Sequence, residues 1–167
     1  VTKGLRDAGI RVVLLDIEGT TTPIAFVHDV LFPFARARAR DWFASRPASD
    51  PEAVAIVEGL QREYEADVAA GKSPPRDSGS WTLDTIVERV HALIDQDRKS
   101  TPLKRLQGRI WEQGYEAGLL KSRVYPDVPP ALARWKQSGL GLGIFSSGSV
   151  LAQKLLFAHS DAGDLTP

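Results

Sequence analysis

Two short apolar runs constrain this chain more than any other feature: "RVVLLD" at residues 11–16 and "GLGLGIFSS" at 139–147. Neither alternates polar with apolar residues. A continuous run of this length suits a strand buried on both faces, the kind found in parallel sheets. Two parallel neighbours cannot be joined by a tight turn, because the chain must return to the starting end of the sheet. Residues 17–138 are all available for that return.

The returning segment reads as helical. Val27, Val30, Leu31 and Phe34 recur at helical spacing, as do Val57, Leu60, Tyr64 and Val68, and again Leu83, Ile86, Val87, Val90 and Ile94. Asp50-Pro51 and Thr101-Pro102 each place a capping side chain before a proline at the first helical position. Pro33 should kink or restart the first helix. "AGKSPPRDSGS", residues 70–80, reads as a loop. Two further helices are expected near 128–138, with Pro129 and Pro130 in the first turn, and near 149–158. The fold class is therefore α/β, with a core from residues 1–23 and 122–167 and an all-helical insertion from 24 to 121.

Composition removes several functions. Lys+Arg and Asp+Glu are both 21, so net charge gives no nucleic-acid or membrane-surface footprint. There is no cysteine, which excludes disulfides and thiolate metal sites and fits a reducing compartment. No signal-peptide pattern and no apolar run of bilayer length is seen, and a cytoplasmic protein is expected. The chain also holds no methionine, so either an initiator was removed or the translation product is longer. Balanced charge and the lack of a visible apolar stripe lead to the expectation of a monomer.

The strand ends carry the chemistry. In open α/β sheets, ligands bind beyond the carboxyl ends of the strands. Asp16 stands there, and Glu18 follows two residues on, pointing the same way along extended chain. A carboxylate in that place can attack phosphorus and form an aspartyl-phosphate. A second can protonate a leaving oxygen and later deprotonate water. Asp16 also suits a Mg²⁺ ion, which binds through one or two carboxylates and waters. Gly19 and the threonines fit a tight turn with hydroxyls and N–H groups facing a phosphate. The plainer alternative makes Asp16 a strand cap and Glu18 a surface residue. At the other strand end, Ser146, Ser147 and Ser149 lead into a helix, whose N-terminus attracts anions. An ordinary N-cap role accounts for Ser149 but not for the serine pair.

An apolar strand ending in Asp-x-acid, paired with a later strand ending in serine, resembles the haloacid-dehalogenase-like phosphatase superfamily. Glu18 stands where most members have a second Asp. That feature and the long stretches "DIEGTTTPIAFVHDVLFP", "DRKSTPLKRLQGRIWEQGY", "VYPDVPPALARWKQSG" and "IFSSGSVLAQKLLFAHSDAGDLTP" are similar to the enolase-phosphatase branch of methionine salvage. The resemblance implies a Rossmann-like core with an inserted helical cap, a Mg²⁺ cofactor and a small phosphate-ester substrate, 2,3-diketo-5-methylthiopentyl-1-phosphate. That substrate would be enolised and dephosphorylated to the acireductone. It implies Asp16 as nucleophile and metal ligand, Glu18 as acid/base and part of the metal site, and Ser146 and Ser147 as phosphate-binding residues.

The family's later lysine and last acidic motif are not found. Lys154 lies in the helix after the serines and reads as a surface residue. Asp161 and Asp164 sit in a loop-like stretch. With only two core strands visible, further strands are expected outside this sequence, and this length alone is expected to be inactive. A phosphatase for another phosphate ester, or a catalytically silent binding module, are the alternatives. His28, His91 and His159 show no metal-ligand spacing. Arg36 and Arg40 share a helical face and Arg38 does not, which fits a solvated face. Trp42, Trp81, Trp111 and Trp135 read as packing anchors. Gln107, Arg109 and Lys121 sit in insertion segments, with substrate contacts left open.

Overall fold

The computed structural model describes residues 5–6, 8–72 and 81–166, so most of the expected 70–80 loop lies outside the described residues. The chain divides into two compact units, Val1–Leu31 with Gly114–Pro167, and Phe32–Gln113.

In the first unit, β1 (Val12–Leu15) and β2 (Gly141–Ile144) pair in parallel, from Val12↔Gly141 to Leu15↔Ile144. They form the two-stranded sheet of the described residues. Paired residues share a face. Leu15, Leu142 and Ile144 therefore face one way, toward α6 (Val128–Gln137) and α7 (Val150–Ala158), and with those helices they line an apolar cavity of about 410 Å³. Ile17, Val124, Leu156 and Phe157 form a buried cluster with Ile144 and Leu165 packed on it.

The opposite sheet face corrects two expectations. The apolar runs imply strands buried on both faces, yet Val12 and Leu14 are 60% and 63% exposed beside Gly141 and Gly143. Phe145 and Val150 are also exposed, at 74% and 67%. The unit thus displays the apolar surface that the sequence pattern did not reveal, and the argument for a monomer from its absence falls away. Strand periodicity says which residues share a face. It does not say whether anything covers that face.

The second unit holds α2 (Phe32–Ala44), α3 (Pro51–Ala69), α4 (Leu83–Asp95) and most of α5 (Thr101–Glu116). Its limits fall inside the expected insertion of 24–121. The chain between 24 and 31, a short α1 (Ile24–Phe26) followed by a π-helical turn (Val27–Leu31), groups with the sheet. At the other end, Tyr115 is tied into the first unit: its hydroxyl lies 2.5 Å from Ser122 Oγ, and its ring stacks on His159 at 5.0 Å. Pro33 restarts the helix as expected. It enters the first turn of α2, where its missing N–H matters least, and the π-helical turn directly before it absorbs the change of register.

The caps follow the expected chemistry with one shift. Ala53 N–H donates to Asp50 Oδ1 at 2.8 Å, with Pro51 behind it. At α5 the capping hydroxyl is Ser100, accepting from Leu103 N–H at 3.2 Å, while Thr101 N–H donates to Glu63 Oε1 at 3.1 Å. The sequence pointed to Thr101 because it stands next to the proline. Among the described residues, no helix is long and apolar enough to cross a membrane.

Candidate active site

The parallel register brings the carboxylates and the serines to one end of the sheet. Phe145 N–H donates to the Leu15 carbonyl at 2.8 Å, extending the pairing one residue past β2. Asp16 and Ser146 each follow directly on that last paired step. Neighbouring strands lie about 5 Å apart, so the two strand ends open on a shared region of solvent.

Ile17 is the anchor of the first strand end. It is buried in the cluster with Val124, Leu156 and Phe157, and chain alternation leaves Asp16 and Glu18 exposed on either side of it. Asp16 Oδ1 accepts from Ile17 N–H at 2.8 Å. A carboxylate has about four lone-pair sites, so this bond leaves acceptor capacity for a cation or a reaction.

The following turn is wound around one carbonyl. Ile17 O accepts from Thr20, Thr21 and Thr22 N–H at 3.2, 3.0 and 2.9 Å, and Gly19 N–H donates to Thr22 O at 2.8 Å. Gly19 makes this turn at φ +76°, a left-handed conformation that glycine adopts without strain. The Thr21 hydroxyl donates to the Asp16 and Ile17 carbonyls at 3.2 and 3.3 Å, and Tyr125 N–H donates to Thr21 O at 3.0 Å. These N–H groups and the Thr21 hydroxyl are thus engaged inside the loop and do not face a phosphate as the sequence had led us to expect. Thr22 Oγ1 is buried with no hydrogen-bond partner among the described residues. A tight turn needs its own donors to close, and seven residues of sequence do not say which way they point.

The second strand end is a short loop capping α7. Ser149 Oγ accepts from Ala152 N–H at 3.2 Å, the N-cap role anticipated for it. Ser146 Oγ accepts from Gly148 N–H at 3.2 Å, which leaves its O–H to donate elsewhere, and Ser147 is exposed. Gln153, one turn into α7, reaches back with Nε2 to the carbonyls of Gly148 at 2.8 Å and Ser146 at 3.4 Å. Sequence reasoning missed this residue. Its only signal was its spacing, four residues after the N-cap.

The other residues keep modest roles. Lys154 is exposed on α7 and lines the apolar cavity. Asp161 Oδ1 accepts from Val124 N–H at 3.2 Å, and Asp164 Oδ1 accepts from Thr166 N–H at 2.8 Å, so both stitch loops. Asp164 is held below the usual carboxylate range, first by the Thr166 hydroxyl, which donates to Oδ1 at 2.6 Å, and then by the Thr166 N–H. In the helical unit, Arg36 pairs with Asp95 at 3.0 Å and Arg40 with Asp84 at 2.5 Å, a solvated, ion-paired face. Arg109 is bonded to Glu52 and Glu112, both at 3.0 Å. His28 is exposed on the π-helical turn, and Lys121 is exposed after α5. Among the described residues no group of three or more His, Cys, Asp or Glu forms a metal centre. The donors present at the strand end, two carboxylates, are the hard-oxygen kind that hold Mg²⁺ together with waters and a substrate phosphate.

A family profile described as haloacid dehalogenase-like hydrolase matches residues 10–166. The chain belongs to that family. The haloacid dehalogenase-like match takes in both strand ends and the helical segment between them. Within it, the chain is 52% identical over 158 residues to a protein of Synechococcus elongatus named "Enolase-phosphatase E1", covering 95% of this chain and 65% of that protein. It is 48% identical to the protein of the same name from Drosophila willistoni, again over 158 residues, covering 95% of this chain and 64% of the relative. A crystal structure of the Unknown transcript 4 protein of Saccharomyces cerevisiae is similar with a TM-score of 0.66 and 30% identity, over 94% of this chain and 61% of that one. The chain thus spans less than two thirds of the length of these relatives.

Proposed function

We propose that this chain contributes the nucleophile, the acid/base and the phosphate-binding serines of a Mg²⁺-dependent enolase-phosphatase. The substrate is 2,3-diketo-5-methylthiopentyl-1-phosphate and the product the acireductone, as in methionine salvage. The observation that carries the reading is the register: parallel pairing sets the Asp16 end of β1 beside the serine end of β2. The shared name of the relatives supports both half-reactions.

In this reading an Asp16 carboxylate oxygen attacks phosphorus, and the bond from phosphorus to the ester oxygen breaks. Glu18 gives its proton to the leaving oxygen. The Glu18 carboxylate then takes a proton from water, whose oxygen attacks the same phosphorus and releases Asp16 and inorganic phosphate. Ser146 and Ser147 hold the phosphoryl oxygens. Mg²⁺, bound through Asp16 and the Glu18 region, would neutralise charge on the phosphoryl group. Enolisation moves a proton from carbon to a carbonyl oxygen, and in this reading Glu18 carries it. The helical unit corresponds to the inserted cap.

Because the relatives are longer, the test joins residues 1–167 to the remaining part of the Synechococcus protein. The joined protein is expected to release phosphate from the diketo substrate, and the present chain alone is not. Asp16→Asn in the joined protein should abolish release, since an amide cannot form the acyl-phosphate. Turnover within tenfold of the unsubstituted protein would overturn the assignment.

A further inference from the structure

We propose that Gln153 is the positioning residue of the Ser146–Ser149 loop, turning the loop's N–H groups toward a bound phosphoryl group. The proposal deepens the phosphate reading of that loop and rests on it. Its starting point is that one side-chain amide donates to two carbonyls of the same short loop, Gly148 O at 2.8 Å and Ser146 O at 3.4 Å. The carboxamide nitrogen carries two hydrogens, so both bonds can form at once.

Peptide groups are planar and trans, so a carbonyl and the N–H of the next residue point in opposite directions. Drawing the Ser146 carbonyl toward Gln153 therefore directs Ser147 N–H away from it. Drawing in the Gly148 carbonyl does the same for Ser149 N–H. The same contacts turn carbonyl lone pairs away from the place where an anion would sit.

The Ser146 and Ser149 hydroxyls bind N–H groups, whereas Gln153 binds carbonyls. The Ser149 oxygen accepts from Ala152 N–H and the Ser146 oxygen from Gly148 N–H, each at 3.2 Å, so neither of these bonds orients a carbonyl. Gln153 is itself anchored, because it stands in the first turns of α7 with its N–H on Ser149 O at 3.0 Å. Leu155, Leu156 and Phe157 bury the same helix just beyond it. A rigid helix thus carries the group that orients a glycine-containing loop.

The test uses residues 1–167 joined to the remaining part of the Synechococcus protein, inorganic phosphate as probe, and amide ¹H–¹⁵N spectra. Gln153→Met keeps length and helix propensity but donates nothing. We expect its phosphate affinity to fall about tenfold, the worth of one or two ordinary hydrogen bonds. Exchange of the Gly148 amide, bonded to Ser146 Oγ, should quicken, while Leu155–Phe157 stay protected. Gln153→Glu adds a second readout that a merely structural role would not move. Ionised, it faces two carbonyls with no donor and should weaken phosphate binding further. Protonated, it regains one O–H, so its affinity relative to wild type at the same pH should recover as pH falls from 7 to 5.

Wild-type phosphate affinity and wild-type loop exchange in Gln153→Met would overturn the role of Gln153. A wild-type chain whose residues 146–149 ignore phosphate would instead overturn the phosphate reading. In that case quickened exchange in Gln153→Met still upholds the hold on the loop, and unchanged exchange refutes it.

Discussion

The helical unit and the sheet unit satisfy their apolar residues to different degrees. In the helical unit, Ile56, Leu60, Leu93, Leu106 and Ile110 are fully buried. In the sheet unit, Val12 and Leu14 sit in the middle of a strand and are largely exposed. The difference follows from what each element needs. A helix closes its own backbone hydrogen bonds and has one stripe to bury, so a few neighbours suffice. A strand in a parallel sheet leaves unpaired backbone groups on any free edge and normally has both faces covered. The helical unit has its partners within residues 32–113, whereas among the described residues the sheet has one pairing and one covered face.

The polar interiors differ as well. The helical unit buries Asp67, 4% exposed, between Arg89 and Arg98, with three contacts of 2.5 Å. The guanidinium of Arg98, then that of Arg89, holds its carboxyl down to about 2. The sheet unit's candidate carboxylates, Asp16 and Glu18, are exposed instead. One unit uses acid groups to knit helices, the other keeps them accessible.

The sharpest way to break this contrast is Asp67→Ala. It strands two arginines on a partly buried face, and removing one partner of such a cluster costs about 3–5 kcal/mol. Denaturant unfolding followed by exchange in α3, α4 and α5 should show that loss, with β1 and β2 exchange unchanged. Equal loosening of both strands would mean that the two units do not hold their stability separately.

Acid gives a smaller effect of definite sign. The folded-state values of Asp67 and Glu52 are both lowered to about 2, Glu52 chiefly by Arg105 and also by Arg109. Carboxylates depressed in the fold contribute stability that is fully present above their ordinary range and lost as pH falls through the folded value. The helical unit should therefore weaken between about pH 4 and pH 2, monitored by far-ultraviolet circular dichroism. Stability that is flat across that window would show that these ion pairs contribute nothing.

The smallest expected effect is at Leu14→Thr. At a position this exposed, stability should change by no more than about 0.5 kcal/mol. A loss of several kcal/mol in thermal or denaturant unfolding would show that the bare sheet face is covered in solution.

Much of this was legible in the residues themselves. The apolar runs ending at Asp16 and Ser146, the caps Asp50 and Ser149 and the restart at Pro33 follow from local sterics and hydrogen-bonding capacity, which neighbouring residues determine. Local pattern also points to the α/β class, while the pairing that brings the Asp16 and Ser146 strand ends together is read from the folded chain. Other features needed the folded chain. The stripe named from α3 was Val57, Leu60, Tyr64 and Val68, but the buried residues are Ile56, Leu60 and Asp67. A period of 3.6 residues permits both lines, and only the arginines on other segments make the one through Asp67 favourable. The inward turn of Thr21, the reach of Gln153 to two carbonyls and the open face of Val12 and Leu14 are likewise tertiary. Each depends on where a second piece of chain lies in space, and spacing along one segment carries no such information.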